Sequence, residues 1–216
     1  MKKAIIFDVD GVLVDTVPYH FLAWQKMFQQ AGASFDFSDY LEKVNGLPRA
    51  VGIKNILTDV ADDELDKLAE VKQQFFLELV DHKPPKPLGG VKAFLHSLGN
   101  NLFYLAAASS SKNAPFVLKK TKLDHFFNTI VSGHDFKKPK PDPELFLLAA
   151  KKLGMNPSEC VVFEDAYHGV EAGNRGGMYT IGLLTSNDQK IPEIAHLTVH
   201  DLKKHQKILD HILKLN

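Results

Sequence analysis

The sequence predicts an α/β protein, a parallel-sheet core carrying an inserted helical cap. Apolar runs at 4–8, 102–108, 129–132, 160–164 and 179–184 read as buried strands. Between and beyond them, helical periodicity around 90–99, 113–122, 143–153 and 167–176 supplies the connections of a parallel sheet with helices on both faces. The stretch of about 17–81 differs, with helical patterns and no convincing strand. It reads as the cap, closed by the proline- and glycine-rich connector Lys83-Pro84-Pro85-Lys86-Pro87-Leu88-Gly89-Gly90. The expected division is therefore 1–15 and 84–216 for the core and 16–83 for the cap. Two crossings between them would let the cap rock over a site and close out water.

The first strand, Ala4-Ile5-Ile6-Phe7, runs into Asp8-Val9-Asp10-Gly11-Val12. Side chains i and i+2 of an extended segment share a face. Asp8 and Asp10 can therefore address one reacting centre, as a nucleophile and its proton-transfer partner, with Gly11 letting the backbone turn behind them. A metal would hold the two charges together; seen alone, the pair reads about equally well as two solvated acids at a strand end. The second strand leads into Ser109-Ser110-Ser111-Lys112-Asn113 and a helix with Pro115 in its first turn, which has the make-up of a phosphate cradle. A basic, proline-stiffened loop follows, Lys137-Lys138-Pro139-Lys140-Pro141-Asp142-Pro143-Glu144. The fourth strand ends in Glu164-Asp165, with Gly169 beyond. Ligands of such sheets bind beyond the carboxyl ends of the strands, where Asp8, Ser109, Lys138 and Asp165 all fall. Residues 202–215 have helix-like apolar spacing and are expected to pack on the core.

Composition narrows the function classes. The chain's 26 basic and 26 acidic residues cancel, so nothing calls for nucleic acid or an anionic membrane, and any anion site must be a local concentration of charge. The single Cys160 excludes an internal disulfide framework; it begins an apolar strand and reads as core. The start Met1-Lys2-Lys3 imitates a signal peptide, but Asp8 interrupts the apolar run, and no stretch approaches the roughly 18 apolar residues of a membrane span. A cytoplasmic location is expected. The ten histidines lack the paired spacing of a zinc site.

The four core segments, in this order and across essentially the whole chain, resemble the haloacid dehalogenase-like phosphotransferases. Within that superfamily, Asp15-Thr16, His20-Phe21-Leu22-Ala23-Trp24, Asn45-Gly46-Leu47-Pro48-Arg49, Lys72 and Ser111-Lys112-Asn113 look like the β-phosphoglucomutase group. The resemblance implies a Rossmann-like core and Mg²⁺ held by Asp8, Asp165 and the backbone carbonyl of Asp10, with Glu164 joining directly or through water. It implies that Ser109 and a lysine contact the transferring phosphoryl group. Lys138 is chosen because it precedes Pro139, leaving Lys137 and Lys140 as solvated loop lysines. Thr16 would support the catalytic loop. An aspartate at Asp10 implies phosphatase or mutase chemistry, since dehalogenases and ATPases of the superfamily lack one.

On the cap, the resemblance assigns His20, Gly46, Arg49 and Lys72 to substrate binding, with Arg49 on a second, non-transferring phosphate. Ser111, Lys112 and Asn113 would contact the sugar or its distal phosphate. Trp24 reads as cap core, with facing the sugar as the alternative. The turn departs from the group's pattern at Asn45 and Pro48, where a lysine and a serine are usual, which leaves the exact sugar open. The expected activity interconverts β-glucose 1-phosphate and glucose 6-phosphate through phospho-Asp8 and a 1,6-bisphosphate. The expected partner is a small sugar phosphate, with no nucleic acid and no membrane, and the chain is expected to be a monomer. The alternatives are a Mg²⁺-dependent sugar-phosphate phosphatase and a non-catalytic sugar-phosphate sensor.

Overall fold

The computed structural model describes residues 3–45, 47, 49–99, 102–185 and 190–215. The chain folds as two compact units, one of Met1–Asp15 with Lys86–Asn216 and one of Thr16–Pro85.

The first unit is built on a six-stranded sheet in the order β3-β2-β1-β4-β5-β6. Its strands are β1 (Lys3–Phe7), β2 (Phe103–Ala108), β3 (Thr129–Val131), β4 (Cys160–Glu164), β5 (Tyr179–Leu183) and β6 (Leu197–Val199). Every pairing is parallel, so the chain crosses over between neighbours, and the strand order reverses between β1 and β4. The helices are α5 (Val91–Leu98), α6 (Ala114–Thr121), α7 (Glu144–Leu153), α8 (Tyr167–Arg175), α9 (Ile191–Ile194) and α10 (His205–Lys214). The numbering leaves α1 to α4 for the second unit.

The near-continuous apolar strands are explained by burial on both faces. Ala4 and Ile6 of β1 join Ala106, Ala108, Val131 and Val162 in one cluster with Leu145, Phe146 and Ala149 of α7 and Ala172 of α8. On the other face Phe7 stacks on Phe163 at 4.8 Å and meets the edge of Phe94 of α5 at 5.9 Å. Each fully buried aromatic or branched side chain contributes about 1.5–3 kcal/mol. Five strands and the helices between them lie where the apolar runs put them, to within a residue or two at the ends. Sequence reading missed β6 and α9. They are three and four residues long, too short for periodicity to register, and β6 is a half-buried edge strand.

The second unit is helical: α1 (Val17–Gln30), α2 (Phe37–Asp39) running into a π-helical turn at Tyr40–Val44, α3 (Arg49–Lys54) and α4 (Asp62–His82). Its core is a cluster of Trp24, Met27, Phe28, Phe35, Tyr40, Val44, Ile53 and Leu65. Pro18 in the first turn of α1 and three acidic residues in the first turn of α4 favour those helix starts.

Candidate active site

The sheet unit gathers its polar chemistry at the carboxyl ends of β1, β2 and β4. Asp8 follows β1 directly and its amide donates to the Phe163 carbonyl at 2.9 Å, prolonging the sheet by one residue and leaving the side chain 8% exposed. The chain then turns at Gly11, whose amide donates to the Val14 carbonyl at 2.8 Å and whose φ is +78°, a conformation that favours glycine. A Cβ on Gly11 would overlap Asp165 Oδ2, so the absence of a side chain lets the Asp165 carboxylate sit against the catalytic turn. At the end of β2, Ser109 is 1% exposed and its hydroxyl donates to Asp10 Oδ2 at 3.1 Å.

A lysine joins these acids. Lys140 Nζ donates to Asp8 Oδ1 at 2.5 Å and to Glu164 Oε1. Glu164 Oε2 accepts from the amides of Asp165 and Ala166 at 2.8 and 2.9 Å. A Cβ on Gly169 would overlap Glu164 Oε1, so that glycine makes room for the carboxylate. Four carboxylates, of Asp8, Asp10, Glu164 and Asp165, thus share a region with one ammonium, and the electrostatics record the excess. Burial first, then the charges of Glu164 and Asp10, push Asp8 up to about 7 despite the opposing Lys140. Asp165 is held well above the ordinary carboxylate range by burial and by Glu164 and Asp8. Burial disfavours the charged Lys140, yet Asp8 and Glu164 outweigh it and hold its pKa above the usual lysine value.

This donor set fits a hard divalent cation. Asp8 and Asp165 offer carboxylate oxygens and Asp10 a backbone oxygen, and crowded buried acids are the surroundings that a cation relieves. Among the described residues no three His, Cys, Asp or Glu side chains form a ready ligand group.

One expectation for this unit is corrected. Lys138 does not reach the acids: its side chain is 73% exposed, 3.8 Å from Asp142, whereas that of Lys140 is 13% exposed. The cause is Glu144, whose carboxylate accepts from the amides of Lys137 and Lys138 at 3.3 and 2.8 Å and ties that part of the loop to the start of α7. Either Lys-Pro step in Lys138-Pro139-Lys140-Pro141 matches the motif, so the local sequence did not separate them. Glu164 was expected to join the metal directly or through water; its two oxygens accept from Lys140 and from the Asp165 and Ala166 amides. The serine loop also differs from an open cradle. Ser109 Oγ accepts from the Ser111 amide at 3.0 Å and Ser111 Oγ from the Asn113 amide at 3.1 Å, so two amides are already satisfied. Asn113 is buried and Lys112 exposed.

In the helical unit, His20 stacks on Phe76 at 4.3 Å and its Nδ1 lies 3.0 Å from Lys72 Nζ. Lysine is a donor only, so Nδ1 accepts and the imidazole is neutral. Burial, then Lys72 and Arg49, hold its pKa well below the ordinary histidine value. Lys72 is 3% exposed, with Nζ over the rings of Trp24 and Phe76 at 5.1 and 5.2 Å. Arg49 opens α3, and its Nη2 donates to Gln73 Oε1 at 2.5 Å. Gln73 was not anticipated; its only signal is that it follows Lys72 on α4. The alternative that Trp24 faces the sugar is corrected: it is 4% exposed and stacked on Phe28 within the unit's core. Thr16 is fully buried and precedes α1, whose first amides its carbonyl accepts; its hydroxyl makes no cap bond there. Gly46 lies outside the described residues.

The polar cluster thus lies at the carboxyl edge of a parallel sheet, where ligands of such sheets bind. The family model of haloacid dehalogenase-like hydrolases matches residues 5–183. A β-phosphoglucomutase of Bacillus subtilis is 36% identical over 84% of this chain and 83% of its own. A fructose-1-phosphate phosphatase of Escherichia coli is 34% identical over 81% of this chain and 92% of its own. The crystal structure of a β-phosphoglucomutase from Clostridium difficile superposes with a TM-score of 0.85 at 29% identity, covering 99% of this chain and 98% of that one. The chain belongs to the haloacid dehalogenase-like hydrolase family and is an enzyme of that superfamily.

Proposed function

We propose that the chain is a Mg²⁺-dependent β-phosphoglucomutase, interconverting β-glucose 1-phosphate and glucose 6-phosphate. The observation that carries the reading is the pairing of two carboxylates with separate partners. Asp8 is bridged by Lys140, as a nucleophile that must approach an anion requires, and Asp10 is held by the Ser109 hydroxyl, where it can exchange a proton. Bound Mg²⁺ supplies positive charge that offsets the repulsion between a carboxylate and a phosphoryl group.

In the first half-reaction the bond from phospho-Asp8 to phosphorus breaks as the sugar O6 bonds to it. Asp10 takes the O6 proton, and Asp8 returns to a carboxylate. The resulting 1,6-bisphosphate then presents its C1 phosphoryl group. Asp8 attacks that phosphorus, the bond to O1 breaks, and Asp10 returns the proton to O1. Lys140 balances the charge on Asp8 and the transferring oxygens throughout, and Glu164 orients Lys140. Ser109 positions Asp10 and contacts the phosphoryl group, while Ser111 and Lys112 contact the sugar phosphate. In the helical unit Arg49 holds the phosphate that is not reacting, and the His20–Lys72 pair links substrate binding to placement of the acid/base.

A second reading is favoured by relatives of similar identity that are named phosphatases, such as the Thermotoga maritima phosphorylated carbohydrates phosphatase at 32%. It keeps the same core residues and lets water take the phosphoryl group from Asp8. The test is an assay with Mg²⁺ on β-glucose 1-phosphate primed with β-glucose 1,6-bisphosphate, following glucose 6-phosphate and free phosphate together. Glucose 6-phosphate with little phosphate, abolished by Asp8→Asn, is expected. Dominant phosphate release would replace the mutase with the phosphatase.

A further inference from the structure

Building on the phosphate-holding role proposed for Arg49, we infer that Gln73 is a positioning and specificity residue, fixing the Arg49 guanidinium through an uncharged contact so that its full positive charge remains available to a phosphate. Consecutive residues on a helix point about 100° apart, and α4 uses two of them on two basic side chains. Lys72 reaches His20 over the rings of Trp24 and Phe76, and Gln73 reaches Arg49 at the start of α3.

The chemistry of the holder carries the inference. Three lysines on the surface of this unit are held by carboxylates: Lys43 by Asp39 at 2.7 Å, Lys54 by Asp62 at 3.0 Å and Lys67 by Asp63 at 3.7 Å. A carboxylate is also the usual partner of a guanidinium, because it accepts in charge-assisted geometry. At Arg49 an amide oxygen takes that place. It orients the guanidinium through Nη2 as a carboxylate would, but adds no negative charge. Arg49 is partly buried, so a neighbouring charge would be less screened than on the open surface. Its positive field, with that of Lys72, is felt at His20, whose protonation both cations oppose. A neutral holder is what an anion subsite needs, since an arginine already paired with a carboxylate offers an incoming phosphate little net charge.

The test separates charge from shape. Gln73→Glu keeps the length and the accepting oxygen but supplies the missing carboxylate; Gln73→Ala removes the contact and leaves the charge of Arg49 intact. Affinity for β-glucose 1,6-bisphosphate is measured by calorimetry in the full chain carrying Asp8→Asn, with Mg²⁺ present, so that no turnover is needed. Thermal unfolding of each variant checks folding. Glu is expected to weaken binding on the order of tenfold, the loss of roughly one charge-assisted contact. Ala should weaken it less, by about threefold. The Glu variant should unfold no earlier than the parent, because it gains an ion pair. A packing role alone predicts the opposite order, with Ala the worse, and that order overturns the inference, as does unchanged binding in the Glu variant.

Arg49→Ala, alone and combined with Gln73→Glu, completes the cycle. If Arg49→Ala weakens binding and Gln73→Glu does not, only the inference fails. If neither does, the role of Arg49 fails with it. If Gln73→Glu weakens binding just as much in the absence of Arg49, its effect does not pass through the guanidinium and the inference is likewise overturned. The mutase reading is judged separately, by the products of turnover.

Discussion

The two units solve opposite electrostatic problems with the same means, burial of charged groups next to a single mediator. In the sheet unit four carboxylates crowd one ammonium, and the mediator is Lys140, which touches Asp8 and Glu164. In the helical unit Lys72 and Arg49 flank one imidazole, and the mediator is His20, kept neutral so that it can accept from Lys72. Crowded acids draw a cation and crowded cations draw an anion. Each unit holds its own excess of charge at some expense of stability, and a ligand of the opposite charge would relieve it.

The largest expected effect breaks the acidic side of this contrast. Lys140→Met removes the ammonium from Asp8 and Glu164 and should lower kcat by about 10²–10³-fold, the scale of losing one preorganised charge contact in a reaction. It should also lower stability by about 3 kcal/mol through the unpaired buried acids. Lys138→Met, on a solvent-facing side chain, should stay within about twofold in kcat and 0.5 kcal/mol in stability. Steady-state kinetics and thermal unfolding of the two variants decide between the lysines. Equal losses would return the role to the loop as a whole.

A smaller effect sharpens the same side. Asp165→Asn takes one charge out of the crowded acids, so without metal the variant should be more stable than the parent, by about 1 kcal/mol. Adding Mg²⁺ should raise the unfolding temperature of the parent, since a ligand that binds only the folded state stabilises it, and should do little for the variant. Melting curves with and without Mg²⁺ check both. A metal-dependent shift of full size in Asp165→Asn would remove Asp165 from the metal site.

The smallest effect probes the cationic side through pH. The folded-state pKa of His20 lies below the ordinary value of 6.5. Above about pH 6.5 the imidazole is neutral in both states and linkage is silent. As pH falls below that, the unfolded chain takes up a proton that the folded chain refuses, and stability is lost toward the folded pKa. The loss should reach about 1 kcal/mol by pH 5.5. His20→Gln should remove this component, so the difference between variant and parent should shrink as the solution is acidified. Parallel stability curves from pH 7.5 to 5.5 would show that His20 is not shielded from protonation.

Much of the molecule is written in short-range pattern. The apolar runs of β1, β2, β4 and β5 need only a few consecutive residues to register, and the alternation with helices dictates a parallel sheet. From that sheet follows the position of Asp8, Asp10, Ser109, Glu164 and Asp165, because each stands at or just beyond a strand end. The helical character of 17–81 was likewise visible in its periodicity.

What the sequence left open turns on contacts between distant residues. Lys138 and Lys140 stand in nearly the same local motif. They are separated by a bond from Lys140 to a carboxylate 132 residues away and by the Glu144 side chain that anchors the loop amides. That the Glu164 oxygens meet Lys140 and the amides that follow the strand is likewise a contact that no local pattern shows. Gln73 carries no motif at all, and its meeting with Arg49 across 24 residues appears only when α3 and α4 are packed. By itself, then, the sequence determined which segments become strands and which acids stand at their ends, because strand formation is a property of neighbouring side chains. Tertiary structure decided which cation answers those acids and which neutral group holds the arginine, because those pairings depend on loop path and helix packing that no local pattern encodes.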